Sequence, residues 1–116
     1  MKNQYTFEDL VAITRRVIQA FDDAEQRPWT IEASMIEMMK QTGDLARHVM
    51  MAERYYLPER PQAPGYATST EDIGDELADI LYCVIRVAEH YHIDLERAHL
   101  EARRKELRSL GQEPDF

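Results

Sequence analysis

From Ile73 onward apolar residues recur at every third or fourth position, Ile73, Leu77, Ile80, Leu81, Val84, Val87, Ala88 and Tyr91, a spacing that an α-helix gathers onto one side. The acids Asp72, Glu76 and Asp79 keep the same rhythm and fall together on an adjoining face. Like charges on neighbouring turns repel by a few tenths of a kcal/mol per pair, so this face needs an offset: solvent, the positive end of the helix, a basic partner or a metal ion. The plainest offset is the helix dipole, which acids in a first turn stabilise.

The remaining chain is organised around that helix. A first helix is predicted over about residues 7–24, with Thr6 as N-cap, Asp9 completing a capping box, and Phe7, Leu10, Val11, Thr14, Val17, Ile18 and Phe21 as its buried stripe. Pro28 ends this periodicity, because proline removes a helical hydrogen bond. A second helix is expected from near Thr30 to about Tyr55, along Ile31, Met35, Met38, Thr42, Leu45, Val49 and Met50. Residues 57–70 hold three of the five prolines and are expected to form a mobile loop bordering a ligand cleft, with Tyr66 as its apolar anchor. Ser69 or Thr70 caps the third helix, which ends near Tyr91 or His92. Asp94 caps a last helix from Leu95 to about Leu110, Gly111 stops it, and residues 112–116 are expected to fray. No segment alternates polar and apolar residues at period two. The expected class is therefore all-α, a four-helix bundle in one domain over residues 1–116.

A chain of 116 residues supports one core, and its net charge of −8 with dispersed acids argues against a nucleic-acid surface, which needs clustered Lys and Arg. An anionic substrate would then require a metal ion. The single cysteine, Cys83, rules out an intrachain disulfide, suits a reducing cytosol and reads as packing. No apolar run reaches membrane-spanning length and residues 1–5 carry no signal-peptide core, so a soluble cytoplasmic protein is expected. The third-helix seam spreads to Leu81, Ile85 and Ala88 beyond the stripe of Ile73, Leu77, Ile80, Val84 and Val87, and five methionines lie between Met35 and Met51. Both features suit a bundle completed by a second copy, although core packing accounts for the methionines equally well.

Chemistry concentrates on two helices. Glu76 and Asp79, three apart, are able to share one hard divalent cation, and Glu37, Gln41 and Asp44, spaced by four and three, lie on one face of the second helix as further oxygen donors. The run Gln41-Thr42-Gly43-Asp44-Leu45-Ala46, then Asp75-Glu76-Leu77-Ala78-Asp79-Ile80-Leu81, then His92-Ile93-Asp94-Leu95-Glu96-Arg97-Ala98, resembles the MazG-type all-α nucleoside triphosphate pyrophosphohydrolases over about residues 29–108. That family carries Glu-x-x-Glu on the second helix and Glu-x-x-Asp on the third, holding Mg2+ against the triphosphate. The resemblance implies a homodimer or dimer of dimers, a nucleoside triphosphate substrate, Mg2+ or Mn2+ as cofactor, and hydrolysis to monophosphate and pyrophosphate. It implies Asp44, Glu76 and Asp79 as metal ligands, Glu37 and Gln41 as supporting catalytic side chains, and Lys105 and Arg108 as phosphate contacts.

The chain departs from the family at Gln41, where an acid is expected, and at Asp44, one methylene shorter than the expected Glu. Gln41 keeps a carbonyl oxygen but loses a charge, Asp44 reaches less far, and Glu37 restores the charge if the ion shifts one turn along the helix. Ala102 and Glu106 stand near positions where the family often has Lys and Asn. These departures favour the alternative of a catalytically weakened nucleotide-binding or scaffold protein. A third reading is an unrelated helical module whose acids solvate its surface. Trp29 reads as a plug at the bundle end rather than a base-stacking platform, Arg103 and Arg104 as phosphate contacts or solvated charges, and the four histidines lack zinc-ligand spacing.

Overall fold

The computed structural model describes residues 3–60, 63 and 65–116. The expectations made of Met1, Lys2, Pro61, Gln62 and Pro64 lie outside these. Among the described residues there are four helices and no strand: α1 is Phe7–Ala24, α2 Ile31–Ala52, α3 Thr70–His90 and α4 Leu95–Ser109. None is long and apolar enough to cross a membrane.

Local side-chain chemistry sets the helix starts. The Thr6 hydroxyl accepts from Asp9 N–H at 3.1 Å while the Thr6 N–H donates to the Asp9 carboxylate at 3.0 Å, closing the capping box. Thr30, Ser69 and Asp94 accept in the same way from Ala33, Asp72 and Arg97. Three helices end in Schellman turns, with a left-handed residue after the cap: Arg54 at φ 61°, His92 at φ 54° and Gly111 at φ 78°. In each, the next N–H reaches back five residues, from Tyr55 to Met50, Ile93 to Ala88 and Gln112 to Leu107. The turn at Arg54 ends α2 at Ala52, three residues short of the expected Tyr55.

The chain divides into two compact units, Met1–Arg27 with Ile85–Phe116, and Pro28–Val84; the division falls inside α3. In the first unit Ile85 and Ala88 are buried, so these two are the covered part of the α3 seam and not its spare surface. No residue of α1 is buried, and Leu10, Val17 and Phe21 of its expected stripe are exposed. Arg15 donates to both Glu89 oxygens at 2.7 and 3.1 Å, and Arg86 pairs with Asp22 at 3.2 Å. The Arg15 bond holds the Glu89 carboxyl below its ordinary range, outweighing the opposing effect of burial. The tail returns to α4 instead of trailing from it, since Arg104 donates to the Phe116 carbonyl at 2.7 Å and lies over its ring. Arg103 is held by both oxygens of Glu106 at 2.6 and 2.7 Å.

In the second unit Ser34, Met51 and Cys83 are buried, and Trp29 is half-buried. The amphipathicity of α2 runs against the usual pattern. Its polar row Glu37, Gln41, Asp44 and His48 is half-buried, whereas Ile36 is 68% and Met39 72% exposed. Ile36, Met39, Gly43, Ala46 and Met50, spaced by three and four, form an outward apolar seam, and a Cβ at Gly43 would meet nothing within 4 Å. On α3, Leu77 and Leu81 are exposed as well.

Candidate metal and nucleotide site

The inward polar row of α2 and the first turns of α3 make the candidate site, all within the second unit. Spacings of four, three and four place Glu37, Gln41, Asp44 and His48 on one helical face. The Gln41 amide donates to Glu37 at 3.0 Å. Lys40, 61% exposed, lies 3.7 Å from Glu37 and 3.6 Å from Asp44.

The crossing to α3 is made by His48. Its Nε2 is 3.7 Å from Glu76 Oε1, and its Nδ1 is 2.8 Å from the hydroxyl of Thr68, two residues before α3 begins. The His48 and Glu76 side chains are only 13% and 18% exposed. Glu76 Oε2 is buried without a hydrogen-bond partner among the described residues. A buried carboxylate oxygen with no donor is costly, and such atoms are rare in folded proteins. Asp79, one turn further along α3, is exposed.

The described part of the 57–70 loop is tied back to α2. Tyr56 and Tyr66 meet edge to face at 5.3 Å, and Arg60 lies 5.7 and 5.2 Å from the two rings. Arg47 donates to the Gly65 carbonyl. A cavity of ≈430 Å3 opens among Met51, Arg54, Tyr56, Pro58 and Tyr66, with Arg54 its charged lining residue. Tyr66 is thus an anchor as expected, but it works with Tyr56 and Arg60.

Lys105 and Arg108 lie on α4, in the first unit; Lys105 is exposed and Arg108 Nε is 3.6 Å from Glu113. Another cavity of ≈370 Å3 in that unit is lined by Phe7, Val11, Ile85 and the Arg15–Glu89 pair, with no predicted site residue on its wall.

A divalent ion suits these residues by donor chemistry. Hard cations take carboxylate and amide oxygens, and Glu76 Oε2 is a buried oxygen with no hydrogen-bond partner among the described residues. Among the described residues no three His, Cys, Asp or Glu side chains are gathered closely enough to hold an ion as they stand. Lys40, itself exposed, bridges Glu37 and Asp44 in contacts of the kind worth at most about 1 kcal/mol. His48, Thr68 and Lys40 were not singled out as members of the site from sequence. Spacing was the available signal, since His48 extends the Glu37, Gln41, Asp44 row by one turn and Lys40 sits three and four from the two acids. No protein family model matches the chain, and no characterised protein or solved structure matches it significantly.

Proposed function

We propose that the chain is a Mg2+-dependent nucleoside triphosphate pyrophosphohydrolase of the MazG type, hydrolysing an NTP or dNTP to monophosphate and pyrophosphate in the cytoplasm. The observation that supports this reading is the buried, unpartnered Oε2 of Glu76, whose other oxygen lies 3.7 Å from His48 at the end of the half-buried polar row of α2. Asp44, Glu76 and Asp79 hold Mg2+ or Mn2+, supported by Glu37 and Gln41. When bound, the ion neutralises phosphate charge and makes its water more acidic. Glu37, hydrogen-bonded by the Gln41 amide, would accept a proton from water as the water oxygen bonds to the α-phosphorus and the α–β anhydride bond breaks, leaving the monophosphate and releasing pyrophosphate.

The assembly is a homodimer or dimer of dimers. The support is the exposed seam of Ile36, Met39, Gly43, Ala46 and Met50 on α2, where Gly43 admits close approach of a second helix, together with exposed Leu77 and Leu81 on α3. A second reading, a nucleotide-binding or scaffold protein with weakened catalysis, is favoured by Lys40, which brings a resident cation between Glu37 and Asp44. A panel of NTPs and dNTPs incubated with Mg2+ separates the two. Monophosphate and pyrophosphate support the enzyme, binding without turnover supports the scaffold, and neither result leaves a helical module without a nucleotide.

A further inference from the structure

The cavity of ≈370 Å3 in the first unit lies among the first residues of α1, the last turns of α3 and the start of α4, and shares no residue with the candidate metal site. Its floor is apolar. Ile85 and Ala88 are only 2% and 6% exposed, and Phe7, Val11 and Leu95 stand half-buried on its wall. Its mouth carries charge of one sign. Arg15 is the cation of the lining, and both Glu89 oxygens hold it at 2.7 and 3.1 Å, so that pair cancels. The surplus is acidic: Glu8 and Glu96 are exposed, with no ion-pair or hydrogen-bond partner among the described residues, and Asp94 lines the same wall.

Volume, floor and mouth together select a ligand. Pockets of about 300–1,000 Å3 with apolar walls and a few polar groups are the kind that take small molecules. Two helices begin at this wall, and each helix start presents about half a positive charge, which Glu8, Asp94 and Glu96 together outweigh. The caps also occupy N–H groups there, since Thr6 accepts from Asp9 and Asp94 from Arg97. With the Arg15 fork spent on Glu89, an anion meets unpaired carboxylates, whereas a cation meets partners. We infer that this cavity binds a small organic cation with an apolar body, an alkylammonium or arylalkylammonium ion, whose hydrocarbon enters beside Ile85 and Ala88 while its charge stays at the mouth with Glu8 and Glu96. Exposed ammonium–carboxylate pairs contribute at most about fivefold each in affinity, so the apolar body supplies the binding and the carboxylates supply the choice of ligand.

Three probes of similar shape and different charge test this: phenethylammonium, phenethyl alcohol and hydrocinnamate, each titrated into 15N-labelled protein without metal or nucleotide. The cation should shift the amides of Ile85, Ala88 and Leu95 saturably and bind about 5–25-fold more tightly than the alcohol, while the anion leaves them unmoved. In the double variant Glu8→Gln with Glu96→Gln the cation should fall to the affinity of the alcohol, whose own binding is unchanged. Ala88→Leu, which fills the floor, should abolish binding of both. Circular dichroism identifies a variant that has not folded, and the two exposed glutamates keep the test open if Ala88→Leu unfolds. A cation that gives no saturable shift at these amides overturns the inference. So does an alcohol or anion that binds as tightly as the cation, or a double variant that keeps the parent's preference. None of these outcomes bears on the metal reading above.

Discussion

Glu76→Gln removes a charge that the metal-free protein does little to stabilise. Asp72 lies one turn before Glu76 and Asp79 one turn after it, and each such like-charged pair costs about 0.2–0.5 kcal/mol, so neutralising Glu76 relieves about 0.4–1 kcal/mol. The stranded Oε2 costs about 1–3 kcal/mol as an unsatisfied buried atom, of which an amide recovers only a part because its NH2 needs an acceptor in the same place. The loss on the other side is small, since 3.7 Å to His48 is longer than a good hydrogen bond. The net expectation is a gain of about 1 kcal/mol, or about 4 °C in melting temperature for a domain of this size. Mg2+ reverses the order. At about one hundred times its Kd the ion stabilises the parent by about 2.7 kcal/mol and the variant hardly at all, placing the parent about 7 °C above it. Scanning calorimetry of both proteins in EDTA and in MgCl2 reads the inversion directly. A Glu76→Gln protein that melts below the parent in EDTA, beside a parent indifferent to Mg2+, would show that Glu76 is a stabilising ion-pair partner and not a ligand in waiting.

Arg54 occupies the left-handed region at about 1–2 kcal/mol above its preferred conformations, so Arg54→Gly, after allowing about 0.5–1 kcal/mol for the freer unfolded chain, should raise stability by about 0.5–1 kcal/mol in denaturant titration. Gly111→Ala should lower it by about 1 kcal/mol for the same reason; equal stability in both variants would refute the Schellman assignment. Met39→Glu charges the outward seam of α2 and should convert an oligomeric parent into a 13.6 kDa species in sedimentation, whereas a parent already sedimenting at that mass would remove the case for a second copy. Because Arg15 holds the Glu89 carboxyl low, its contribution is present above the ordinary carboxyl value of 4.5 and is lost as pH falls through the folded value. Glu89→Gln should therefore melt earlier than the parent at neutral pH, and the two should converge in acid; a constant gap between them would contradict the assignment.

Helix starts were legible in the sequence because capping is local: Thr6 with Asp9, Ser69 and Asp94 need only their own next three residues. The ends were less so. Gly111 announces a left-handed turn and the end of α3 near His92 was legible, but nothing in Arg54 signals one, and the overlong reading of α2 follows from that. Periodicity identified the apolar rows of α1 and α2 without telling which of them the chain itself covers. Leu10, Val17, Met35 and Val49 keep helical spacing and are exposed, while Ile85 and Ala88, read as surplus, are buried. Within the candidate site, acids at motif spacing were visible. The link from His48 to Glu76 was not, because it joins residues 28 positions apart through a loop whose path the sequence does not give.

The most direct test is the rate of pyrophosphate release from nucleoside triphosphates, measured with Mg2+ and with EDTA for the parent and for Asp79→Asn. Asp79 is exposed, so its amide leaves the packing undisturbed while removing one ligand charge. The expected result is equimolar monophosphate and pyrophosphate from the parent only when Mg2+ is present, with the variant slower by orders of magnitude. Release unaffected by EDTA, orthophosphate with a diphosphate product, or equal rates in the two proteins would contradict a Mg2+ site on α2 and α3.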